Sequence, residues 1–318
     1  MADINKLGGT VVINLNKMMG YTLWYGGRGI IGGGSGSDDV AVNIIEYITI
    51  GTPGNSIDFG DLLAATAATS ACSSSTRGVF GGGVNTNTIN YITIATPGTA
   101  IDFGDLTQAR YLSGACSNST RGVFGAGHTG AVYSKVMDYI TIATPSDATT
   151  FGNLVVIRHY VTACASTTRG VFGGGINWGI QAYNTIEYVT IASAGDATDF
   201  EDLTIARGGL KACSSSTRGV YGGGVAQNGT TFYNTIDYIT INTPARATDF
   251  GDLIAARISH ACCTNSLVGV FAGGDAAATF AIMEAINIAS TGNTTGFGDL
   301  TAARYDMGGC SDSHGGLA

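Results

Sequence analysis

Lysine is scarce in this sequence, and charged residues of any kind are few. The only lysines are Lys6, Lys17, Lys135 and Lys211, and charged residues make up 12% of the 318. The 15 basic residues are outnumbered by 23 acidic ones, which gives a net charge of −8. Because proteins bind nucleic acids mainly through clustered Lys and Arg, we expect no nucleic-acid partner.

Long apolar runs and metal-binding spacings are also missing from the sequence. No stretch is long enough to span a bilayer, and the opening MADINKLGGT lacks the basic and apolar regions of a secretion signal. No CxxC pair occurs, and the histidines are scattered at positions 128, 159, 260 and 314. We therefore expect no membrane insertion, no metal site and no cofactor.

Glycine, in contrast, is abundant and recurs within one phrase. The phrase reads RGVFGGG at Arg77 and returns, with small changes, at steps of 49, 44, 48, 49 and 50 residues, anchored at Arg28, Arg77, Arg121, Arg169, Arg218 and Val268. Self-similarity at such a period indicates a repeat architecture. The glycines therefore belong to six structural repeats and do not form phosphate-binding loops.

The cysteines follow the same repeat. Six of the seven share one repeat position: Cys72, Cys116, Cys164, Cys213 and Cys263 stand five residues before an anchor, Cys310 aligns with them, and Cys262 is the seventh. Equivalent positions in a ring of repeats lie farther apart than the roughly 7 Å between Cα atoms that a disulfide tolerates. We expect these cysteines to be small, buried apolar residues.

Each repeat contains the signals of four short strands, which we call A to D. Strand A leads into the anchor, and strand B is the glycine-rich phrase. Strand C is an alternating run such as IDYITI, and strand D is a motif such as DFGDL. Six copies of four strands, without a helical period, predict an all-β six-bladed β-propeller, in which the glycines of strand B let neighbouring blades approach closely.

The same residues carry a resemblance to a known family. A double glycine closing strand B, a Tyr in strand C, an aromatic in strand D and an Arg before the next strand A resemble the kelch repeat, with Phe where kelch usually has Trp. The order of motifs in each repeat, YITI, then DFGDL, AR and TRGVFGGG, is also similar to kelch-like repeats of virion structural proteins in tailed bacteriophages. The resemblance covers residues 28–318 and implies kelch-like blades.

The two ends of the chain predict how the ring closes. The C-terminal segment 305–316 aligns with segment 111–122, so it supplies a strand A, whereas the first repeat begins at strand B with Arg28. We expect the C-terminal strand to complete the first blade and leave no open sheet edge. The alternative is that GYTLWYGG, 20–27, supplies this strand. If the C-terminal strand closes the ring, residues 1–25 are an N-terminal arm that covers one end of the propeller or adds to a partner's sheet, and 26–318 form the propeller.

Chain reversal gives the propeller two faces. The A–B and C–D turns form one face, which we call the turn face, and the B–C and D–A connections form the other, the loop face. Opposite charges alternate on the turn face, so we predict structural rim ion pairs among Arg77, Arg121, Arg169, Arg218, Asp58, Asp102, Asp199 and Asp249.

The loop face is where the repeats differ in length and sequence, and such variation is typical of a binding face. Aromatic and amide groups in these loops suit a protein surface or sugar rings. The candidate binding residues are Asp38, Asp39, His128, Tyr133, Lys135, Trp178, Tyr183, Asn228, Phe232 and Tyr233. Ordinary loop drift explains the same variation.

No paired carboxylates outside the repeat, and no nucleophile beside a histidine, can be found in the sequence, so we expect no enzyme. The resemblance implies a non-catalytic virion protein of a tailed phage, in its head, neck or tail, assembled in the host cytoplasm and bound to other virion proteins through the arm or one face. The alternatives are a glycan-binding propeller for host recognition and a cellular kelch-type adaptor.

Overall fold

The strands form a ring of six blades around a central axis. The computed structural model describes residues 27–177, 179 and 181–317, and the backbone of 4–7 and 10–13. Each blade is a four-stranded antiparallel sheet, and the strands A of neighbouring blades contact each other all around the axis. The predicted six-bladed propeller is therefore confirmed.

The strand bounds are as follows. A short hairpin precedes the ring: β1 (Ile4–Leu7) and β2 (Thr10–Ile13). Blade 1 contains β3 (Arg28–Gly32), β4 (Ile44–Thr49), β5 (Ile57–Asp61) and, as its strand A, β28 (Gly308–Ser311). Blade 2 contains β6 (Ser70–Ser73), β7 (Arg77–Gly83), β8 (Thr86–Thr93) and β9 (Ile101–Asp105). Blade 3 contains β10 (Gly114–Ser117), β11 (Arg121–Gly125), β12 (Val136–Thr141) and β13 (Thr149–Asn153).

The other three blades follow the same order. Blade 4 contains β14 (Thr162–Ala165), β15 (Arg169–Gly173), β18 (Thr185–Thr190) and β19 (Thr198–Asp202), with a small hairpin, β16 (Ile176–Asn177) and β17 (Gln181–Ala182), in its B–C loop. Blade 5 contains β20 (Lys211–Ser214), β21 (Arg218–Gly222), β22 (Thr235–Thr240) and β23 (Thr248–Asp252). Blade 6 contains β24 (Ala261–Thr264), β25 (Val268–Ala272), β26 (Ile282–Asn287) and β27 (Thr295–Asp299). No helix among the described residues is long and apolar enough to cross a membrane.

The ring closes through the C-terminal strand, as predicted. β28 pairs with β3 in antiparallel register, with Cys310 opposite Ile30. The C-terminal segment and the start of β3 thus meet where the other blades have an A–B turn. There the Asp312 carboxylate accepts the backbone N–H groups of Gly27, at 2.7 Å, and of Arg28, at 3.2 Å. The alternative, closure by segment 20–27, is wrong because β28 already occupies that edge of β3. Most of the predicted arm, 1–25, lies outside the described residues.

Neighbouring blades pack closely at the glycines of strand B. The Phe124 ring of blade 3 lies so near Gly81 of blade 2 that a Cβ there would stand 2.8 Å from it. Gly32, Gly125, Gly173 and Gly222 meet the next blade's aromatic ring in the same way. Ala272 stands at this position in blade 6, and there blade 1 presents Ile31, a smaller side chain in the same apolar cluster. The predicted role of the glycine-rich phrase is thus supported by the packing.

The cysteines fill the space between blades. Cys72 of blade 2 packs against Gly122 of blade 3, and the other five repeat cysteines pack against the equivalent glycine of the next blade. All seven cysteines are free and buried. Burial raises the thiol pKa of Cys72, Cys116 and Cys164 above its ordinary value, so these groups stay neutral and apolar.

Five buried ion pairs fix the connections that run from strand D of one blade to strand A of the next. In each, the arginine before strand A faces a carboxylate in strand C of the same blade, and both side chains are almost fully buried. Arg207, for example, lies 3.0 Å from the Asp237 carboxylate. The other pairs are Arg110 with Asp138, Arg158 with Glu187, Arg257 with Glu284 and Arg304 with Glu46. The sequence showed the arginine position but not its partner.

Blade 2 lacks both members of this pair at once. Thr66 stands in place of the arginine, and Asn90 stands in place of the carboxylate. The Asn90 side-chain oxygen still accepts the N–H of Leu63, at 3.3 Å, as the carboxylates accept N–H groups elsewhere. Because a single buried charge without its partner is costly, the two changes compensate each other.

This compensation predicts how variants of blade 5 behave. Replacing Asp237→Asn alone leaves the Arg207 charge buried without a counter-charge and should cost about 3–5 kcal/mol of unfolding free energy. The double variant Arg207→Thr, Asp237→Asn copies blade 2 and should be clearly more stable than Asp237→Asn. Urea denaturation followed by circular dichroism measures both. A double variant as unstable as the sum of the two single variants would contradict the compensation.

Candidate functional site

The turn face is occupied by arginine–tyrosine stacks. The guanidinium carbons of Arg77, Arg121, Arg169 and Arg218 lie 4.1–4.4 Å from the ring centres of Tyr91, Tyr139, Tyr188 and Tyr238. Each of these arginines also donates from Nη1 to a backbone carbonyl of the following blade, as Arg77 does to Ile142 at 2.7 Å. The stack thus holds each guanidinium within its own blade, and the hydrogen bond to the carbonyl joins that blade to the following one.

The predicted rim ion pairs are not what this face shows. The ion pairs among the described residues involve none of these four arginines. Their expected partners, Asp58, Asp102, Asp199 and Asp249, are exposed on strand D. The reason is the strand register, which places the tyrosine of strand C diagonally across from the arginine. The guanidinium therefore stacks on the tyrosine ring and does not pair with the aspartate of strand D. In blade 6, Val268 is accordingly matched by Ala285, the residue at the tyrosine position.

The axial channel is closed on the turn face by the C-terminal residues. Hydroxyl groups at the end of strand A bond to the carbonyl of the preceding blade, as Ser117 does to Ser73 at 2.8 Å. Ser73, Ser214, Thr264 and Ser311 do the same. Across this ring lies His314, whose Nε2 is 3.0 Å from the Ser73 carbonyl oxygen, and Gly316 packs against the Ser117 carbonyl. The channel is therefore most accessible from the loop face.

On the loop face, a ring of backbone hydrogen bonds surrounds the axis. Six residues, one before each strand A, each donate their N–H to the carbonyl of the same position in the preceding blade, at 2.7–3.1 Å. All six have φ between 54° and 69°. They are Ala68, Leu112, Tyr160, Gly209, Ser259 and Asp306. This ring leaves their side chains around the mouth of the channel, and we call it the axial ring.

Five aromatic rings lie side by side at the mouth, between blades 3 and 4. Tyr133 stacks on His159 with ring centres 4.7 Å apart, and His128 lies 4.9 Å from Tyr133. Tyr111 and Tyr160 extend the group at either end, at 5.1 Å from His128 and 4.9 Å from His159. All except His159 are partly exposed. We call this group, Tyr111, His128, Tyr133, His159 and Tyr160, the aromatic crescent.

The two histidines of the crescent are held by different contacts. Burial lowers the pKa of His159 to about 4, although its Nδ1 lies 2.7 Å from the Ile176 carbonyl. Nδ1 of His128 accepts the N–H of Gly130 at 3.0 Å. The crescent therefore presents a row of flat aromatic rings, in which the buried His159 is uncharged at neutral pH.

Charged groups lie deeper in the mouth. Lys211, Asp306, Ser259 and Tyr160 line the same small cavity below the axial ring. Burial lowers the pKa of Lys211, and Asp306 opposes that shift. Burial also raises the pKa of Asp306, whose carboxylate is supported by Ser259 and Lys211. The axis walls here are small residues, Ala71, Ala115, Ala163, Ala212, Cys262 and Gly309, and the cavity between them measures about 50 Å³, room for water-sized molecules.

The predicted loop residues separate into three groups. His128 and Tyr133 belong to the crescent, and the Tyr305 hydroxyl at the mouth donates to Asp39 at 2.7 Å. Asp38 and Asn228 accept N–H groups within their own loops. The backbone groups of Tyr183, Phe232 and Tyr233 pair with the other side of their own B–C loops. Lys135 is exposed, and Trp178 lies outside the described residues.

Sequence reasoning missed Tyr111, His159, Tyr160, Lys211 and Asp306. Tyr111, His159, Tyr160 and Asp306 lie between strand D and strand A, a segment interpreted as scaffold, and Lys211 is the first residue of β20, the strand A of blade 5. A signal was present: the two positions after the arginine read Tyr-Leu, His-Tyr, Gly-Gly, Ile-Ser and Tyr-Asp in blades 3 to 6 and 1, whereas the flanking motifs hardly change.

No group of three or more His, Cys, Asp or Glu side chains that could hold a metal ion occurs in the part of the chain that is described.

No protein-family model matches the chain, and no curated protein matches it significantly.

A buried histidine beside the channel predicts a pH effect on stability. Neither ring nitrogen of His260 has a hydrogen-bond partner among the described residues, and burial, Arg257 and Lys211 all lower its pKa well below the ordinary value. Below about pH 6.5 the unfolded chain therefore binds a proton that the folded chain does not, and stability falls by up to about 1.4 kcal/mol per pH unit.

His260→Leu should remove this loss, because Leu210 already occupies the equivalent place in blade 5. Urea midpoints at pH 7.5 and 5.0 provide the comparison. The wild-type midpoint should fall more than that of the variant between these pH values, and an equal fall in both proteins would argue against a neutral, buried His260.

Proposed function

We propose that this chain is a non-catalytic binding protein and, more specifically, a kelch-like structural component of a tailed-phage virion that contacts other virion proteins through its loop face. The observation that carries the binding role is the aromatic crescent. It is a non-repeating, partly exposed aromatic surface beside the axial mouth, on a scaffold whose five buried arginines are engaged in ion pairs.

The virion assignment is supported by the sequence motifs of the repeats. The combination of YITI, DFGDL and TRGVFGGG resembles the repeats of phage virion propellers. The acidic composition and the free, buried cysteines suit a protein assembled inside a host cell. Aromatic side chains are enriched in protein interfaces because they bury large area with few rotatable bonds. The crescent therefore suits a protein neighbour in the particle.

The proposed location is tested directly on particles. An antibody against the recombinant chain, with gold label, should mark one discrete position on phage particles in electron micrographs. Mass spectrometry of the same purified particles should detect the chain in a fixed ratio to the capsid protein. If the intact particles lack the chain by both methods, the virion assignment is wrong, and a cellular adaptor becomes the better proposal.

The role of the crescent is tested by its incorporation into particles. Tyr133→Ala removes the ring that stacks on His159 and should reduce incorporation about tenfold, the equivalent of about 1.4 kcal/mol of binding free energy. Phe232→Ala is the matched control, because Phe232 pairs with Val225 in blade 5 as Tyr133 pairs with His128 in blade 3. Quantitative mass spectrometry of particles gives the readout. Equal incorporation of both variants and wild type would contradict binding through the crescent.

A glycan ligand is the second candidate, favoured by the same flat ring surface. The Tyr133 and His159 planes are inclined by only 18°, and such stacked, partly exposed rings can pack against the apolar face of a sugar. Particles that incorporate Tyr133→Ala normally but no longer adsorb to host cells would indicate glycan binding instead of assembly.

A further inference from the structure

A groove on the turn face lies at the junction of blades 6 and 1. It encloses about 400 Å³ and is far larger than the cavities of the axial channel. All of its lining residues are uncharged, and they include Ile50, Pro53, Val268, Ala285, Asn293 and Phe297. A groove of this size is large enough for a small ligand or for two side chains of a partner.

At the other five junctions, this place is filled by an arginine of strand B and a tyrosine of strand C. The guanidinium carbon lies 4.1–4.4 Å from the centre of the tyrosine ring. The arginine Nη1 donates to an isoleucine carbonyl of the following blade at 2.7–3.0 Å. The tyrosine ring meets the phenylalanine of strand D edge to face, with ring centres 5.8–6.2 Å apart. Each junction thus contains one cation and one aromatic ring, together with the groups that receive them.

Blade 6 keeps the receiving groups but lacks both side chains. Val268 stands at the arginine position, and Ala285 lies opposite Val270 as Tyr238 lies opposite Val220. Phe297 lines the groove, and among the described residues it has no ring partner of the kind that the other five phenylalanines have. The carbonyl equivalent to the five acceptors belongs to Ile50, and no described residue donates a hydrogen bond to it.

The arginines of the chain are almost all engaged elsewhere. Four of the 15 basic residues are lysines, which leaves 15 − 4 = 11 arginines. Five of these belong to the stacks and five to the buried ion pairs. The eleventh, Arg246, is exposed on the C–D turn of blade 5 and does not line the groove. A cation for the groove therefore has to come from another molecule, and the net charge of −8 favours a cationic one.

We propose that the groove is a docking site for a different protein that presents an arginine side chain stacked with an aromatic one. The aromatic ring lies against Phe297, in the place that tyrosine has in the other blades, and the guanidinium donates to the Ile50 carbonyl. The partner thereby completes the sixth junction of the ring. Because the groove is on the turn face, the inference does not depend on the proposed contact through the loop face.

Analogues of the two side chains test the chemistry of the groove. The probes are p-cresol for tyrosine and ethylguanidinium for arginine, and the methyl NMR signals of Ile50 and Ile286 report their binding. Wild type should bind p-cresol with a millimolar dissociation constant. Ethylguanidinium should make this binding about two- to fivefold tighter, because a cation is attracted to the face of an aromatic ring. An apolar groove without a place for the cation would show no such coupling.

Two double variants provide the matched comparison. Val268→Arg with Ala285→Tyr restores the stack of the other blades, so this filled variant should no longer bind p-cresol. Arg218→Val with Tyr238→Ala empties the junction between blades 5 and 6. This opened variant should bind p-cresol at a second site, reported by the methyl signals of Ile288. Circular dichroism confirms that each variant is folded.

Four results would overturn the proposal. Three of them are a wild type that does not bind p-cresol, a filled variant that binds it as wild type does, and ethylguanidinium that weakens p-cresol binding or leaves it unchanged. The fourth is a wild type that self-associates in sedimentation, whereas Arg246→Ala and the filled variant stay monomeric. This last result would assign the groove to a second copy of the chain.

Discussion

A buried acceptor in strand C holds each blade to the one before it, and the rest of the ring depends on this contact. The Asp237 carboxylate accepts the N–H and hydroxyl of Thr204 from blade 4 and faces Arg207 from the same segment. Glu187 likewise accepts the N–H groups of Val155 and Val156. A buried carboxylate needs both a counter-charge and hydrogen-bond donors. The segment between strands D and A is therefore fixed, and the axial ring that follows it is fixed too.

Departures from the repeat show which positions are scaffold. Thr66 and Asn90 change together, and so do Ala272 and Ile31, so packing and charge balance are kept at both places. Val268 and Ala285 also change together, but they leave a groove of about 400 Å³ between blades 6 and 1. The axial ring varies with no such compensation. Unbalanced variation thus concentrates at the channel mouth and at this groove.

Much of the fold was accessible from sequence because it depends on periodicity. The repeat spacing, the alternation of strand C and the alignment of segment 305–316 with segment 111–122 predicted six blades and their closure by β28. The partners of the charges were not accessible, because opposite sign does not reveal the register that places Tyr91 under Arg77. Only part of the crescent could be predicted from the sequence. His128 and Tyr133 lie in a variable loop, but His159 and Tyr160 contact them from the next blade. The C-terminal closure by His314 depends on contacts across the ring that no local pattern reveals.

The central claim is that the loop face, beside the crescent, contacts a neighbouring protein in the particle. The scarcity of lysine makes it testable by amine cross-linking of intact particles, because Lys135 is the exposed lysine of that face, whereas Lys211 lines the axial cavity and Lys6 and Lys17 belong to the N-terminal segment. The account predicts cross-links from Lys135 to another virion protein. Cross-links from Lys6 or Lys17 alone, with Lys135 modified only by hydrolysed reagent, would show that the loop face is free and would contradict it.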